Sequence, residues 1–295
     1  MYYIGIDGGG TKTEFGLFDS QGKQIDSLKK ETSHYLQVGF DGCAQCLFQG
    51  IQELVDLHQL HSQQVYIGIG LAGYGNDEIV KKQLDEAIDK VLKDYHYVVT
   101  SDVHIALLGA LNGEDGIVVI SGTGSIAIGK VGDQLIRTGG WGYQIGDEGS
   151  AYWIGKELLR IFSWQADGRI KKDEIYDIFM ERYQLENPYQ IISIISHLEN
   201  PRSEIAALAR ICSQLSSTNQ HCYQIIKEAA KYISLLVDGL KKYLRGQPLV
   251  SYYGGVFQDN TFLKYFKEYV SDCRIIEPQY NALYGAYLLA KDDFE

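Results

Sequence analysis

The spacing of apolar and polar residues along this chain predicts a mixed α/β fold. Short apolar runs rich in Ile, Val and Tyr predict strands, at residues 2–6, 14–18, 65–72, 97–101, 117–120, 126–129 and 249–253. Apolar residues three and four positions apart predict helices, at residues 40–57, 76–93 and 103–111, in a long amphipathic segment from about 219 to 244, and from about 281. Hairpin strands followed by alternating strands and helices indicate mixed sheets flanked by helices.

Two strand pairs enclose turns of similar composition. The first turn is Asp7 to Thr13 (DGGGTKT) and the second is Ser121 to Ser125 (SGTGS). Because glycine has no Cβ, successive backbone N–H groups can point at one anion, and the hydroxyl side chains add donors. A polyphosphate suits such turns. Their repetition suggests two similar half-structures that face one nucleotide across a cleft.

Other glycine motifs fit this sequence less well. In the first turn, Gly10 is followed by Thr11 and then Lys12, whereas a P-loop needs adjacent Gly and Lys followed by a helix. Residues 68–73 (GIGLAG) match the dinucleotide pattern, but these glycines alternate with Ile inside the strand, and the next strand-end acid, Asp102, comes later than the usual position about 20 residues on. The pattern therefore does not favour a nicotinamide or flavin enzyme.

Length and charge favour a cytoplasmic enzyme of two domains. The chain has 295 residues, 45% of them hydrophobic, which is long for one domain. Residues 112–116 (NGEDG) form the best predicted boundary, just before the second strand pair. A net charge of −11 disfavours nucleic-acid or anionic-membrane partners, since both need a basic surface. No stretch approaches the about 18 apolar residues of a membrane span.

Cys43 and Cys46 form a C-x-x-C, a spacing that allows redox or metal chemistry. The two residues lie in the predicted helix 40–57, where small buried cysteines are common, and no second pair completes a zinc site. Five cysteines is an odd number, which suits free thiols in a reducing compartment.

Two further tracts complete a recognisable set, Gly140 to Ser150 (GWGYQIGDEGS) and Gly254 to Phe257 (GGVF). With the two phosphate turns, they resemble in order and sequence the N-acetylglucosamine kinase branch of the BadF/BadG/BcrA/BcrD ATPase family, within the actin-like ATPase and sugar-kinase superfamily. The resemblance implies two actin-like (ribonuclease H-like) domains, residues 1–113 and 114–280, with the helix 281–291 returning to the first. It also implies a homodimer that binds ATP, Mg²⁺ and an amino sugar in the interdomain cleft.

The resemblance implies a role for each matching residue. Thr11 and Lys12 would contact the β and γ phosphates of ATP, Asp7 would hold Mg²⁺ through water, and Asp102 would be the base that accepts the proton of the sugar 6-hydroxyl. The other nucleotide positions implied are Gly9, Gly10, Gly122, Thr123, Gly124, Gly254 and Gly255. The other sugar positions implied are Ser33, Ser125, Gly140, Trp141, Gly142 and Asp147.

Several of these residues could instead have purely structural roles. Asp102 could cap the helix that follows it, Asp147 could cap a helix from about Gly149, and Trp141 could be a core aromatic. Ser33 stands where the family usually has Asn. A shorter hydroxyl there predicts a weaker preference for N-acetylglucosamine over a bulkier or epimeric amino sugar.

The family allows more than one function. N-acetylglucosamine is the expected substrate, and N-acetylmuramic acid, glucosamine and N-acetylmannosamine are alternatives. An ATPase that activates a 2-hydroxyacyl-CoA dehydratase is another reading, which Cys43 and Cys46 suggest and the Trp141 tract opposes. A third possible function is a sugar sensor without turnover, and the presence of Asp102 argues against it.

Overall fold

A computed structural model describes residues 1–75 and 77–294 of this chain. The chain forms two compact units. Unit 1 consists of Met1–Val118 with Ile276–Glu295, and unit 2 is Val119–Ile275. The predicted helix start at Asn76 lies outside the described residues.

Unit 1 contains a five-stranded mixed sheet in the order β3-β2-β1-β4-β5. The strands are β1 (Tyr2–Gly8), β2 (Lys12–Asp19), β3 (Gln24–Glu31), β4 (Val65–Leu71) and β5 (His96–Ser101). β1, β2 and β3 are antiparallel neighbours, whereas β1, β4 and β5 run parallel. In the parallel part Gly8 pairs with Leu71 and Leu71 with Ser101, so these three strands end at one edge of the sheet.

Helices cover the two faces of this sheet. The helices of unit 1 are α1 (Tyr35–Leu57), α2 (Glu78–Leu92), α3 (Asp102–Leu111) and the last helix of the chain, α11 (Ala282–Phe294). Ile4 and Ile6 of β1 belong to the core beneath α1 and α2. Tyr3, the residue before Ile4, belongs to the core on the other face, where its ring packs edge-on against that of Tyr287 of α11 with the ring centroids 5.2 Å apart. One strand therefore serves two cores, as the period of two in a strand requires.

Glycines let α3 and α11 approach the sheet and each other. A Cβ added at Gly68 of β4 would lie 1.9 Å from the backbone oxygen of Ala286, and one at Gly70 would lie 2.3 Å from the Ile105 side chain. A Cβ on Gly285 of α11 would lie 1.8 Å from the backbone oxygen of Ile105. The glycines that mimic a dinucleotide motif are thus packing positions for helices.

The second five-stranded sheet has the order β10-β9-β6-β7-β8 and lies in unit 2, except for residues 116–118 at the start of β6, which belong to unit 1. The strands are β6 (Gly116–Ser121), β7 (Ser125–Val131), β8 (Gln134–Gly139), β9 (Leu249–Tyr253) and β10 (Arg274–Ile275). The helices are α4 (Ala151–Ala166), α5 (Glu174–Arg182), α6 (Gln190–Ser196), α7 (Pro201–Ala207), α8 (Ala209–Leu215), α9 (Gln220–Lys241) and α10 (Asn260–Tyr269). Asn219 caps α9 by accepting hydrogen bonds from two backbone N–H groups.

Among the described residues, the helices are all too short or too polar to cross a membrane.

Candidate functional site

The carboxyl edge of the sheet in unit 1 carries two acidic residues. Asp7 is the penultimate residue of β1, and Asp102 follows the last residue of β5. Ser101 caps α3, accepting a hydrogen bond from the His104 backbone N–H at 3.3 Å. Asp102 is therefore the first residue of the helix, and its Oδ1 accepts from the Val103 N–H at 2.8 Å. The capping alternative for Asp102 is wrong, because Ser101 holds that position.

Burial makes both carboxylates more basic than usual. Desolvation raises the pKa of Asp7 from 3.8 to about 6, with added repulsion from Asp102 and Glu14 and a partial offset from Lys12. Desolvation also raises the pKa of Asp102, opposed by the Val103 N–H and by His34. Buried acids with raised pKa values at a strand end are typical of functional sites.

The first phosphate turn is braced by side chains of the following segment. The Gly9 N–H donates to the Lys12 carbonyl at 3.0 Å. Thr32 Oγ1 donates to the Gly9 carbonyl at 2.9 Å, and Gln37 Nε2 donates to the Gly10 carbonyl at 2.6 Å. These contacts use carbonyl groups of the turn. The residues at its tip, Gly10, Thr11 and Lys12, are exposed, so a ligand can reach them.

Lys12 is held over its own hairpin by an acidic neighbour. Its Nζ lies 2.6 Å from Glu14 Oε1, and Lys29 Nζ lies 2.7 Å from the same oxygen. Glu14 is also the cross-strand partner of Asp7. The hairpin thus sets a cation and two carboxylates at one end of the sheet.

Ser33 lies beneath this turn. A Cβ added at Gly8 would lie 2.7 Å from Ser33 Oγ. The side chain is 1% exposed, and its hydroxyl has no hydrogen-bond partner among the described residues. Ser33 therefore adjoins the acidic edge, but its hydroxyl does not face solvent.

The second phosphate turn, in unit 2, is tied to the start of α4. The Gly122 N–H donates to the Gly124 carbonyl at 2.9 Å, and the Ala151 N–H donates to the Gly122 carbonyl at 2.8 Å. Ser125 Oγ donates to the Glu148 carbonyl at 2.8 Å. The Ser125 hydroxyl therefore braces the turn, while Thr123 at its tip is exposed.

The diglycine that follows β9 packs against the same turn. Gly254 has φ +110°, and a Cβ there would lie 2.1 Å from the backbone oxygen of Ser121. Nothing lies within 4 Å of the Cβ position of Gly255. Gly254 therefore packs directly against the second turn, and the space beside Gly255 is open.

The tryptophan tract of unit 2 is a surface feature. Gly140 and Gly142 have positive φ values of +70° and +82°, and Trp141 between them is 66% exposed. The Arg137 guanidinium lies 5.7 Å from the Trp141 ring centroid. Trp141 is therefore not a core aromatic, and an exposed indole ring is free to stack on a ligand.

Asp147 is buried beside the second turn. It is 4% exposed, and its Oδ2 lies 3.2 Å from Arg202 Nη2. A Cβ on Gly124 would lie 2.6 Å from Asp147 Oδ2. Ser150 caps α4 by accepting from the Trp153 N–H, so the capping alternative for Asp147 is wrong.

The predicted site residues form two groups, one on each unit. Unit 1 holds Asp7, Gly9, Gly10, Thr11, Lys12, Ser33 and Asp102. Unit 2 holds Gly122, Thr123, Gly124, Ser125, Gly140, Trp141, Gly142, Asp147, Gly254 and Gly255. Sequence reasoning missed Arg202 and Glu14. Glu14 follows the first turn within the hairpin, so its place across from Asp7 could have been found, whereas no motif marks Arg202.

The C-x-x-C lies within α1, and Cys46 Sγ donates to Thr13 Oγ1, at the end of the first turn, at 3.9 Å. Cys43 is buried in the core, Cys46 is half-buried, and both are free thiols. Across residues 1–75 and 77–294, no three His, Cys, Asp or Glu side chains gather as a metal site would need. Burial raises the pKa of Cys43 to about 12, as is typical of an unreactive core thiol.

Comparison with known proteins gives a family match over nearly the whole chain. The model of the BadF/BadG/BcrA/BcrD ATPase family matches residues 4–290. An N-acetylmuramic acid/N-acetylglucosamine kinase of Clostridium acetobutylicum is 29% identical over 303 aligned positions, covering 99% of each chain.

Solved structures share the fold. A Chromobacterium violaceum protein, described as a candidate N-acetylglucosamine kinase, aligns with a TM-score of 0.77 at 24% identity, over 98% of each chain. The ROK hexokinase of Thermus thermophilus aligns with a TM-score of 0.65 at 16% identity, over 100% of each chain. The predicted fold class, α/β with mixed sheets flanked by helices, is confirmed.

Proposed function

This chain belongs to the BadF/BadG/BcrA/BcrD ATPase family, and from that premise we propose that it is an ATP-dependent amino-sugar kinase. The Clostridium relative, whose name specifies N-acetylmuramic acid and N-acetylglucosamine, supports this substrate class. N-acetylglucosamine, converted to its 6-phosphate, is the first candidate. The observation that carries the proposal is Asp102, a half-buried carboxylate with a raised pKa at the edge where the parallel strands end.

Asp102 is the proposed catalytic base. A carboxylate at the first position of α3 can accept a hydrogen bond from a sugar hydroxyl, orient it, and take its proton as the phosphoryl group transfers. Burial raises the pKa of Asp102, which makes it a better proton acceptor than an ordinary aspartate. The proposed sugar contacts are Ser33, Ser125, Gly140, Trp141, Gly142 and Asp147.

The two glycine turns are the proposed phosphate sites. Phosphoryl transfer needs positioning and neutralisation of charged oxygens more than covalent help from the protein. Backbone N–H groups of both turns, with Thr11, Lys12 and Thr123, supply donors of that kind. Gly254 and Gly255 are the proposed adenosine positions.

Asp7 is the proposed Mg²⁺ residue. Mg²⁺ keeps several waters and uses one or two carboxylates together with substrate phosphates, so a strand-end aspartate suits it. The raised pKa of Asp7 fits this role, because a bound cation would offset the repulsion from Asp102 and Glu14. When bound, Mg²⁺ would neutralise phosphate oxygens.

The remaining proposals concern organisation. We propose two domains, residues 1–113 with 281–291 and residues 114–280. We also propose a homodimer and a cytoplasmic location. These proposals come from the family resemblance and the acidic composition. Light scattering of the purified protein tests the dimer.

An ADP-release screen tests the function. The purified protein is incubated with MgATP and, in turn, N-acetylglucosamine, N-acetylmuramic acid, glucosamine, N-acetylmannosamine and glucose. We expect sugar-dependent ADP release that is greatest for an N-acetylated amino sugar. ADP release without any sugar, from a brown protein, would instead indicate a dehydratase activator, and sugar binding with no ADP release would indicate a sensor.

A further inference from the structure

Arg202 places a half-exposed guanidinium against the second phosphate turn. It lies in the first turn of α7, far in sequence from that turn. A Cβ added at Gly124 would lie 2.5 Å from Arg202 Nη2 and 2.6 Å from Asp147 Oδ2. The absence of a side chain at Gly124 is therefore what admits the Arg202–Asp147 pair to the turn.

The guanidinium is oriented by two neighbours and keeps free donors. Nη2 lies 3.2 Å from Asp147 Oδ2, and the Arg202 guanidinium carbon lies 5.8 Å from the Tyr143 ring centroid. Asp147 is 3% exposed in its side chain, whereas Arg202 is 48% exposed. Arginine carries five N–H donors in a planar fork, so one contact to Asp147 leaves a second edge open to an oxyanion.

The surroundings argue against a merely structural ion pair. Arg202 is 48% exposed, so solvent screens its attraction to Asp147, and the net charge of −11 means that an anionic substrate needs a local cation to bind. Arg202 stands beside the turn that we have assigned to phosphate. A fixed cation next to backbone donors is the arrangement that binds phosphate or carboxylate oxygens.

We propose that Arg202 binds an oxyanion of a substrate at the second phosphate turn, oriented by Asp147. The inference rests on the proposed kinase function. The oxyanion has two possible sources, a phosphate of ATP or the carboxylate of an acidic amino sugar such as N-acetylmuramic acid. Proximity to Gly124 favours the phosphate.

The test compares Arg202→Gln and Arg202→Lys with a matched control. Arg169→Gln is the control, because Arg169 also pairs with an aspartate, Asp167, and lies over an aromatic ring, that of Trp164. Dissociation constants for MgATP, N-acetylglucosamine and N-acetylmuramic acid are measured by calorimetry, which needs no turnover. Thermal unfolding of each variant reports the structural contribution of the pair.

The expected result is selective for charge. Arg202→Gln should weaken the binding of MgATP about ten- to hundred-fold, the loss typical of charge-assisted hydrogen bonds. The affinity for N-acetylglucosamine should change by no more than about two-fold. Arg202→Lys should restore part of the affinity for MgATP. If only the affinity for N-acetylmuramic acid falls, the same subsite binds the carboxylate of the sugar.

Two results would overturn the proposal: unchanged affinity for both anionic ligands, or equal loss for all three ligands together with a lower melting temperature. Failure of the kinase proposal is distinguishable, since it would appear as no ADP release by the unaltered protein with any sugar.

Discussion

Asp7 and Asp102 share one edge of a sheet but sit in different local environments. Asp102 follows a cap residue and accepts a backbone N–H, which partly offsets its burial. Asp7 is desolvated and has two acidic neighbours whose effects on its pKa each exceed that of Lys12, and its pKa is raised to about 6. The environment of Asp102 suits a base that accepts a hydrogen bond, and the environment of Asp7 suits a residue that binds a cation.

Replacing Asp102 tests its role as base. Asp102→Asn keeps the hydrogen bond to the attacking hydroxyl but cannot accept the proton, so kcat should fall by about 10²- to 10⁴-fold with little change in sugar or ATP affinity. Steady-state kinetics and calorimetry of the variant measure both. More than about a tenth of kcat remaining would remove Asp102 from the catalytic role.

The raised pKa of Asp7 predicts how stability depends on pH. Between its ordinary 3.8 and about 6, the folded state holds a proton that the unfolded state has lost, so stability falls as pH rises through this window. Asp7→Asn should therefore be more stable at pH 7 by about 2 to 3 kcal/mol, an upper figure from about 1.4 kcal/mol per pKa unit. The gain should vanish below about pH 4.

Chemical denaturation at pH 4, 5.5 and 7, with and without Mg²⁺ and a nucleotide analogue, measures this effect. Mg²⁺ with nucleotide should stabilise the unaltered protein and should stabilise Asp7→Asn less, because a ligand that binds the folded state more tightly stabilises it more. A variant that is less stable at pH 7 would contradict the assigned cost of this buried charge.

Residue roles differ in how far the sequence predicts them. Asp102 could be placed at a sheet edge because a strand pattern ends just before it. Arg202 could not, since it meets Gly124 and Asp147 only after α7 has packed in unit 2, and no local pattern encodes that contact. The burial of Ser33 likewise depends on the packing of Gly8 above it.

At the scale of elements, backbone contact between β4, α3 and α11 holds unit 1 together. Gly68 approaches Ala286, and Gly109 and Gly285 bring the two helices together, each with a backbone oxygen where a Cβ would stand. The sequence showed that Gly68 and Gly70 alternate with isoleucines within a strand. It could not show that the partner of Gly68 is the last helix, because that pairing is long-range.

A substitution at Gly68 tests this contact. Gly68→Ala would place Cβ 1.9 Å from a backbone oxygen that cannot move without shifting α11, so we expect a loss above about 4 kcal/mol or failure to fold. Gly168→Ala is the control, because nothing lies within 4 Å and only its φ of +73° resists the change. That control should cost about 1 to 2 kcal/mol. Equal losses by chemical denaturation would show that helix packing does not constrain Gly68.

At the scale of the whole molecule, the two units differ in how the chain builds them. Unit 2 is one continuous stretch, Val119–Ile275, whereas unit 1 needs Ile276–Glu295 in addition to the first part of the chain. The alternation of elements along the sequence predicted mixed sheets flanked by helices, but it gave no range for β3, β8 or β10. The return of α11 was expected from family resemblance alone, since its small residues indicate close packing without naming a partner.

Ending the chain at Tyr280 tests this dependence. Loss of α11 would expose Tyr3, Phe18 and the backbone beside Gly68, so unit 1 should lose its protection against amide hydrogen exchange. Unit 2 contains none of these contacts and should keep its protection in β6, β7 and α9. Exchange followed by mass spectrometry reads both units in one sample, and retained protection of β1 and β4 would contradict the prediction.

The late position of α11 also orders events during synthesis. At about 5 to 20 residues per second, the ribosome makes the whole of unit 2 after the first five strands and before the helix that covers them, an interval of many seconds. During that time Tyr3, Phe18 and Gly68 lack the helix that covers them. The nascent chain therefore carries an apolar surface that chaperones can bind, and the unit that holds Asp7 and Asp102 gains α11 only after the whole of unit 2 has been made.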